Sequence, residues 1–301
     1  MSSHHHHGTD LGTRRLAWAV AINILLTAAQ VIGGVLSGSL SLIADALHNF
    51  SDAAGLLLAL IARRISKRAA DERRTFGYGR AEVVGGLINL TSIMVIAGYL
   101  LIEAVGRTFD RPEIDGWMVV IVASIALVVD TATAVLTYTM SKESVNIKAA
   151  FLHNVADALA SVAVIITGTM IILFDWYWAD IVATIGISAY IVWISWSPMK
   201  RCIRILMQSV PDHLSVDEIG QSINRVAGVE AVAHLHVWLI DERTTSIEVR
   251  VAMQEDAGIA QADELRRRLR SHLEAEFGIT HITIEVLPTA SLESESLITL
   301  H

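Results

Sequence analysis

Six apolar stretches dominate the first two thirds of the chain, at residues 16–37, 40–62, 82–106, 116–140, 149–173 and 178–199. Each is about 20 residues or longer, enough for a helix rising 1.5 Å per residue to cross a hydrocarbon core of about 30 Å. Only Ser-Gly-Ser-Leu-Ser at 37–41 parts the first two, which predicts a tight external turn. Beyond about residue 209 the period changes. Residues 215–229 predict a short amphipathic helix. Residues 231–240 and 245–253 alternate with period two across the polar link 241–244. Residues 261–278 predict a second helix ending at Gly278, and 279–287 a third strand stopped by Pro288. The order is αββαβ, a ferredoxin-like open-faced sandwich whose modest core would gain from dimer contacts.

The chain therefore reads as an α-helical membrane protein with six transmembrane helices and a C-terminal cytoplasmic α+β domain. Its predicted segments are a flexible histidine-containing N-terminus (1–12), the membrane domain (13–208), the cytoplasmic domain (209–289) and a flexible tail (290–301). Strand alternation turns Leu235, Val237, Ile247, Val249, Val251, Ile282, Ile284 and Val286 towards the helices. It turns His234, His236, Glu248, Arg250, His281 and Glu285 to the other face.

Composition agrees with this reading: 53% of residues are hydrophobic, 18% are charged, and mean hydropathy is +0.50. Charge placement then sets direction. The loop between spans two and three carries Arg63, Arg64, Lys67, Arg68, Arg73, Arg74 and Arg80. Lys142 and Lys148 lie between spans four and five, and Lys200, Arg201 and Arg204 follow span six. On the opposite side, Arg107 and Arg111 are balanced by Asp110, Glu113 and Asp115. The positive-inside rule puts both termini in the cytoplasm, with Trp117, Trp176 and Trp178 at the external interface. The first twelve residues lack the apolar segment of a signal peptide, and their four histidines read as a tag remnant or a metal-gathering tail. A single cysteine, Cys202, excludes an internal disulfide framework. Net charge of −8 and the lack of a binding motif argue against nucleic acid as a partner. No phosphate-binding G-x-x-x-x-G-K-[ST] sequence is present, which argues against an ATP-driven pump in this chain.

Against this apolar background one pattern occurs twice: His-Asn-x-x-Asp, at His48–Asp52 and His153–Asp157. Residues four apart share a helix face. Spans two and five run in opposite directions, so two such pairs can close around one point. Two imidazole nitrogens and two carboxylate oxygens suit tetrahedral Zn²⁺ better than Mg²⁺ or Ca²⁺, which take more oxygen ligands. Carboxylates at membrane depth are too costly to carry without a role. Asp45 is placed either on an access path or at a helix start. Asp130 is an outer partner of the site or, with Asn23, Gln30 and Asn89, a packing contact. Asn49 and Asn154 are read as helix contacts. Such a site binds metal in competition with protons, the chemistry of an antiporter that sends metal out and protons in. A passive carrier or metal-gated channel could use the same ligands, and a membrane-bound sensor is a further reading. An enzyme fits poorly, because four protein ligands leave no open metal position. In the tail, His234, His236, His281 and Glu285 form either a regulatory metal site or a solvated polar face.

The stretches Ser-Gly-Ser-Leu-Ser-Leu-Ile-Ala-Asp-Ala-Leu-His-Asn-Phe-Ser-Asp (37–52), Thr-Phe-Gly-Tyr-Gly-Arg-Ala-Glu (75–82), the second His-Asn-x-x-Asp and His-Leu-His-Val-Trp (234–238) resemble the cation diffusion facilitator family, over roughly residues 12–288. The resemblance implies a homodimeric, proton-coupled exporter of divalent metals in a cell inner or plasma membrane. It implies a transport site of His48, Asp52, His153 and Asp157. The two-histidine, two-aspartate set is similar to that of zinc-preferring members, with Cd²⁺ or Co²⁺ as further cargo. It also implies that the C-terminal domain holds the dimer and senses cytoplasmic metal. The chain departs from the pattern where some members have histidines in the loop after span two, since Arg74 and Tyr78 stand there. In the tail His236 fits, whereas Arg250 and Glu285 replace histidines and Leu287 stands where an aspartate can be. His234, His281 and Glu285 offer a different ligand geometry.

Overall fold

The computed structural model describes residues 24–110, 112–140, 145–291 and 296–297, with backbone alone at 136, 137, 139, 140, 145–150 and 153. The expected N-terminal segment and the first eight residues of span one lie outside the described residues. Six long helices follow the six apolar stretches: α1 (Ile24–Ser37), α2 (Leu40–Ser66), α3 (Arg80–Gly106), α4 (Gly116–Met140), α5 (Val145–Phe174) and α6 (Trp178–Leu206). By length and composition α3, α4, α5 and α6 suffice to cross a membrane. The described part of α1 is apolar but shorter, and α2 is diluted by Asp45, His48, Asp52, Arg63 and Arg64.

The chain divides into two compact units, Met1–Leu60 with Ile88–Met199 and Ile61–Leu87 with Lys200–His301. In the first, the usual soluble arrangement is inverted. Large apolar side chains such as Leu56, Leu60, Ile102 and Val128 are exposed, while Gln30, Ser39, Ser41, Ala44, Asp45 and Asp180 are buried. Lipid is as apolar as leucine, so small residues that allow close packing, and polar ones that need partners, collect inside. Gly116 of α4 and Gly168 of α5 show the closeness. A Cβ on Gly116 would lie 2.9 Å from the Gly168 carbonyl oxygen, and one on Gly168 3.0 Å from that of Gly116.

The α1–α2 turn is tight, as expected, with Gly38 at φ +75°. The start of α2 is capped from α6. Asp180 accepts from the Leu40 amide (2.9 Å), the Ser41 amide (3.1 Å) and the Ser39 and Ser41 hydroxyls (2.6 Å each). A carboxylate there satisfies otherwise unpaired amides and meets the positive end of the helix dipole. The helix-start reading of Asp45 is thus corrected: Asp45 lies inside α2, and Asp180 holds that position.

The second unit contains α7 (Val216–Asn224), β1 (Ala231–Leu239), β2 (Thr245–Met253), α8 (Ile259–Phe277) and β3 (His281–Pro288). The sheet order is β1-β2-β3, with β1 antiparallel to β2 and β2 parallel to β3. The parallel pair needs a crossover, which α8 supplies. Ser215 caps α7 through the Glu218 amide, and Gly278 ends α8 at φ +66°. All eight strand residues expected to meet the helices pack in one core with Ile219, Ile223, Leu265, Leu269 and Leu273.

Two features of this unit were not anticipated. A bulge falls between Ala233 and His236, with His234 at φ +49°. The tail, expected to be flexible, is held at Ser296 and Leu297: their carbonyls accept from the His234 amide (3.1 Å) and the Leu235 amide (2.8 Å). Strand β1 is a sheet edge with amides to satisfy, and Leu297 packs against the core beside Gly220. The α2–α3 link also belongs to this unit. There Arg80 donates from Nε to the Ile240 carbonyl (2.8 Å) and from Nη2 to that of Leu239 (3.4 Å).

Candidate metal site

Residue His48 lies eight positions into α2, about 12 Å along the helix from Leu40. Its Nε2 is 3.7 Å from Asp52 Oδ2, one turn on, and 3.4 Å from Asp157 Oδ1 on α5. One ligand atom from each of these three residues falls within 4.8 Å of the others. Among the described residues this is the only group of three or more histidine, cysteine or acidic side chains so disposed. His48 and Asp157 are buried, while Asp52 is about one-third exposed. An ion held tetrahedrally at about 2.0–2.1 Å imposes ligand–ligand separations of roughly 3.3–3.5 Å. The His48–Asp157 separation falls in that range and the His48–Asp52 one is slightly longer, so the three residues could close on Zn²⁺ with small side-chain movements. The backbone of His153 lies in α5, one turn before Asp157, and its side chain lies outside the described residues.

Neighbouring polar residues are tied to one another. Gln30 on α1 donates from Nε2 to Asp45 Oδ2 (2.7 Å) and accepts from Asn49 Nδ2 (3.1 Å). This chain of bonds joins α1 to the turn of α2 that carries His48, and matches the helix-contact reading of Asn49. Asp130 on α4 accepts from Ser161 of α5 (3.0 Å), one turn beyond Asp157. Sequence reading missed Asp180. Its signal is a carboxylate two residues into an apolar span, matched by the serines that open α2.

The tail residues are not gathered in the same way. His234 and His236 are neighbours, with ring centroids 4.5 Å apart. His281 is on β3, two strand spacings or about 10 Å from β1, where its ring meets Phe76 edge-on. Glu285 is bound by Arg250 Nε at 2.7 Å. The four do not converge within one chain. In the α2–α3 loop, the Tyr78 hydroxyl donates to Asp71 at 2.6 Å, and the Arg73 and Arg74 amides donate to the same carboxylate (2.9 and 2.8 Å). These bonds, the Tyr78 hydroxyl foremost, hold the Asp71 carboxyl below its usual pKa.

A bundle of membrane-length helices, with histidine and carboxylates from two of them meeting inside, is the architecture of a metal-cation transporter. The sequence matches the cation efflux transmembrane domain over residues 16–207 and the cytoplasmic domain of cation efflux proteins over 211–289. The chain belongs to the cation diffusion facilitator family, whose members are transporters rather than enzymes. It is 33% identical over 284 residues to the metal cation efflux system protein CzcD of Cupriavidus metallidurans, covering 94% of this chain and 88% of that one. It is 30% identical over 288 residues to the cadmium, cobalt and zinc/H(+)-K(+) antiporter of Bacillus subtilis (95% and 92% covered). It is 31% identical over 288 residues to the zinc transporter ZitB of Pectobacterium atrosepticum (94% and 88% covered).

Proposed function

We propose that this cation-efflux protein exports Zn²⁺ in exchange for protons, through a site made by His48, Asp52, His153 and Asp157. The observation that carries the reading is the meeting of His48, Asp52 and Asp157 ligand atoms within 4.8 Å, from two helices. His153 is the fourth ligand, one turn from Asp157 on the same helix. Zinc as cargo, with cadmium and cobalt as further substrates, is supported by the names of the relatives and by the nitrogen and oxygen donor set.

Coupling follows from the ligands. The metal-loaded site needs ionised carboxylates and neutral imidazoles, so protons and metal compete for the same atoms. Opening to one side loads metal from the cytoplasm. Opening to the other, where protons are more plentiful, displaces it. The positive loops orient the chain with both termini in the cytoplasm of a bacterial inner membrane. The cytoplasmic domain pairs two copies into a homodimer, a role in keeping with its family match. A regulatory Zn²⁺ at His234 and His236 would draw its remaining ligands from beyond His281 and Glu285.

Zinc flux into sealed vesicles, with and without an imposed pH gradient, tests this reading. Flux should follow the gradient and disappear in Asp157→Ala. Flux indifferent to the gradient would point to a passive carrier, and flux retained in Asp157→Ala would remove the site. Varying K⁺ separates proton exchange from mixed exchange.

A further inference from the structure

The second unit carries a half-open cavity of about 580 Å³, within the range of small-molecule sites, that the transport reading does not use. Its wall has two kinds of surface. Ile65 at the end of α2, Val84 in the first turns of α3, and Trp238 make an apolar side. Arg73, Arg74 and Arg80 make a cationic one. Arg80 is occupied by the carbonyls of Ile240 and Leu239. Arg74 is exposed and lies over the Tyr78 ring, 4.9 Å from its centroid, which orients the guanidinium. Arg73 contributes only its backbone amide to any hydrogen bond among the described residues.

Asp71 acts electrostatically on Arg74 and offsets part of its charge, but no acid forms an ion pair with the Arg73 or Arg74 guanidinium among the described residues. Asp71 is taken by the Tyr78 hydroxyl and two amides, Glu82 accepts from the Ser66 hydroxyl, and Asp241 accepts from the amides of Arg243 and Thr244. Glu72 makes no ion pair among the described residues. The cavity thus joins two exposed guanidiniums, suited to bidentate binding of phosphate oxygens, to an apolar wall. It sits where α2 ends and where α3, a helix long and apolar enough to cross a membrane, begins; the end of such a helix is where lipid headgroups are expected.

We infer that this cavity is a phosphate site, with Arg73 and Arg74 as its cations, that takes the headgroup phosphate of an anionic lipid. The apolar wall favours lipid over a free phosphate, since it would cover the glycerol and the first methylenes of the chains. The site is separate from the metal ligands, so it can be tested by binding whether or not transport follows the mechanism above.

The test is the melting temperature of the purified full chain in nonionic detergent. The additions are short-chain phosphatidylglycerol, short-chain phosphatidylcholine and, at matched ionic strength, inorganic phosphate. Phosphatidylglycerol should raise the melting temperature saturably, by roughly 3 °C, and phosphatidylcholine should not. In Arg73→Gln/Arg74→Gln the concentration giving half the shift should rise at least about tenfold. Arg267→Gln, an exposed arginine on α8, should respond as the native chain does. A saturable shift with inorganic phosphate alone, lost in the double variant, would keep the phosphate site and assign it to a soluble phosphate compound. No saturable shift with either, an unchanged response in the double variant, or an equal loss in Arg267→Gln would overturn the inference. Should the double variant fail to fold, Arg73→Gln alone gives the same reading, because that side chain makes no bond in the described fold.

Discussion

His48 Nε2 and Asp157 Oδ1 stand 3.4 Å apart although 109 positions separate them in the chain, one on α2 and the other on α5. That distance suits two ligands of one small ion. Asp157→Asn keeps the volume and removes the charge. It should lower zinc flux in vesicles by more than about 100-fold while leaving the melting temperature in metal-free buffer nearly unchanged. His48→Gln should do the same. Zinc binding to the detergent-solubilised variants, followed by calorimetry, separates a lost site from a blocked pathway.

Much of this was legible in the sequence, because each signal is local. A helix-length apolar run reports a span, and a period of two reports strand faces. The repeated His-Asn-x-x-Asp reports a histidine and a carboxylate on one helix face, since i and i+4 share a face whatever the tertiary fold. What could not be read depends on partners distant in sequence. Asp180 caps a helix that begins 140 positions earlier. The Arg250–Glu285 ion pair depends on the parallel register of β2 and β3, which only the path of α8 decides. The held tail follows from β1 being an edge strand, a fact of sheet order that alternation does not carry.

The Asp180 cap has its own consequence. Four donors converge on one buried carboxylate, so Asp180→Ala leaves two amides at the start of α2 without their partner. The expected loss is about 3 kcal/mol of folding stability, and Asp180→Asn, which keeps one acceptor oxygen, should lose about half of that. Unfolding of the detergent-solubilised chain by denaturing surfactant measures both. A loss in Asn as large as in Ala would mean that charge, rather than acceptor geometry, does the holding.

A pH effect is expected at the α2–α3 loop. Asp71 has a carboxyl pKa below the ordinary 3.8, through its bonds from Tyr78, Arg74 and Arg73. A carboxyl lowered in the folded chain contributes stability that is fully present above its unfolded value and is lost as pH falls through the folded one. The loop should therefore keep its order from neutral pH down to about 4 and loosen below that. Tyr78→Phe should bring the loosening to higher pH. Carboxyl chemical shifts of Asp71, with loop amide protection followed in parallel, check this. A midpoint at or above 3.8 in the native chain would contradict the assigned bonds.

Leu297 and Gly220 offer a coupled test of the tail. Leu297 packs on the domain core, so Leu297→Ala should cost about 1–2 kcal/mol. Gly220 lies in α7, where alanine would normally gain up to about 1 kcal/mol over glycine. A Cβ at Gly220, however, would come within 3.2 Å of Leu297 Cδ1. The tail must shift to admit it, and part of the helix gain is lost. Once Leu297 has been shortened, that obstacle is gone. Gly220→Ala should therefore be more favourable in the Leu297→Ala background than in the native chain, with a coupling of about 0.5–1 kcal/mol. Denaturant unfolding of the four chains gives the cycle. Additive effects would mean that the tail does not rest on α7 in solution, and that β1 presents an open edge there.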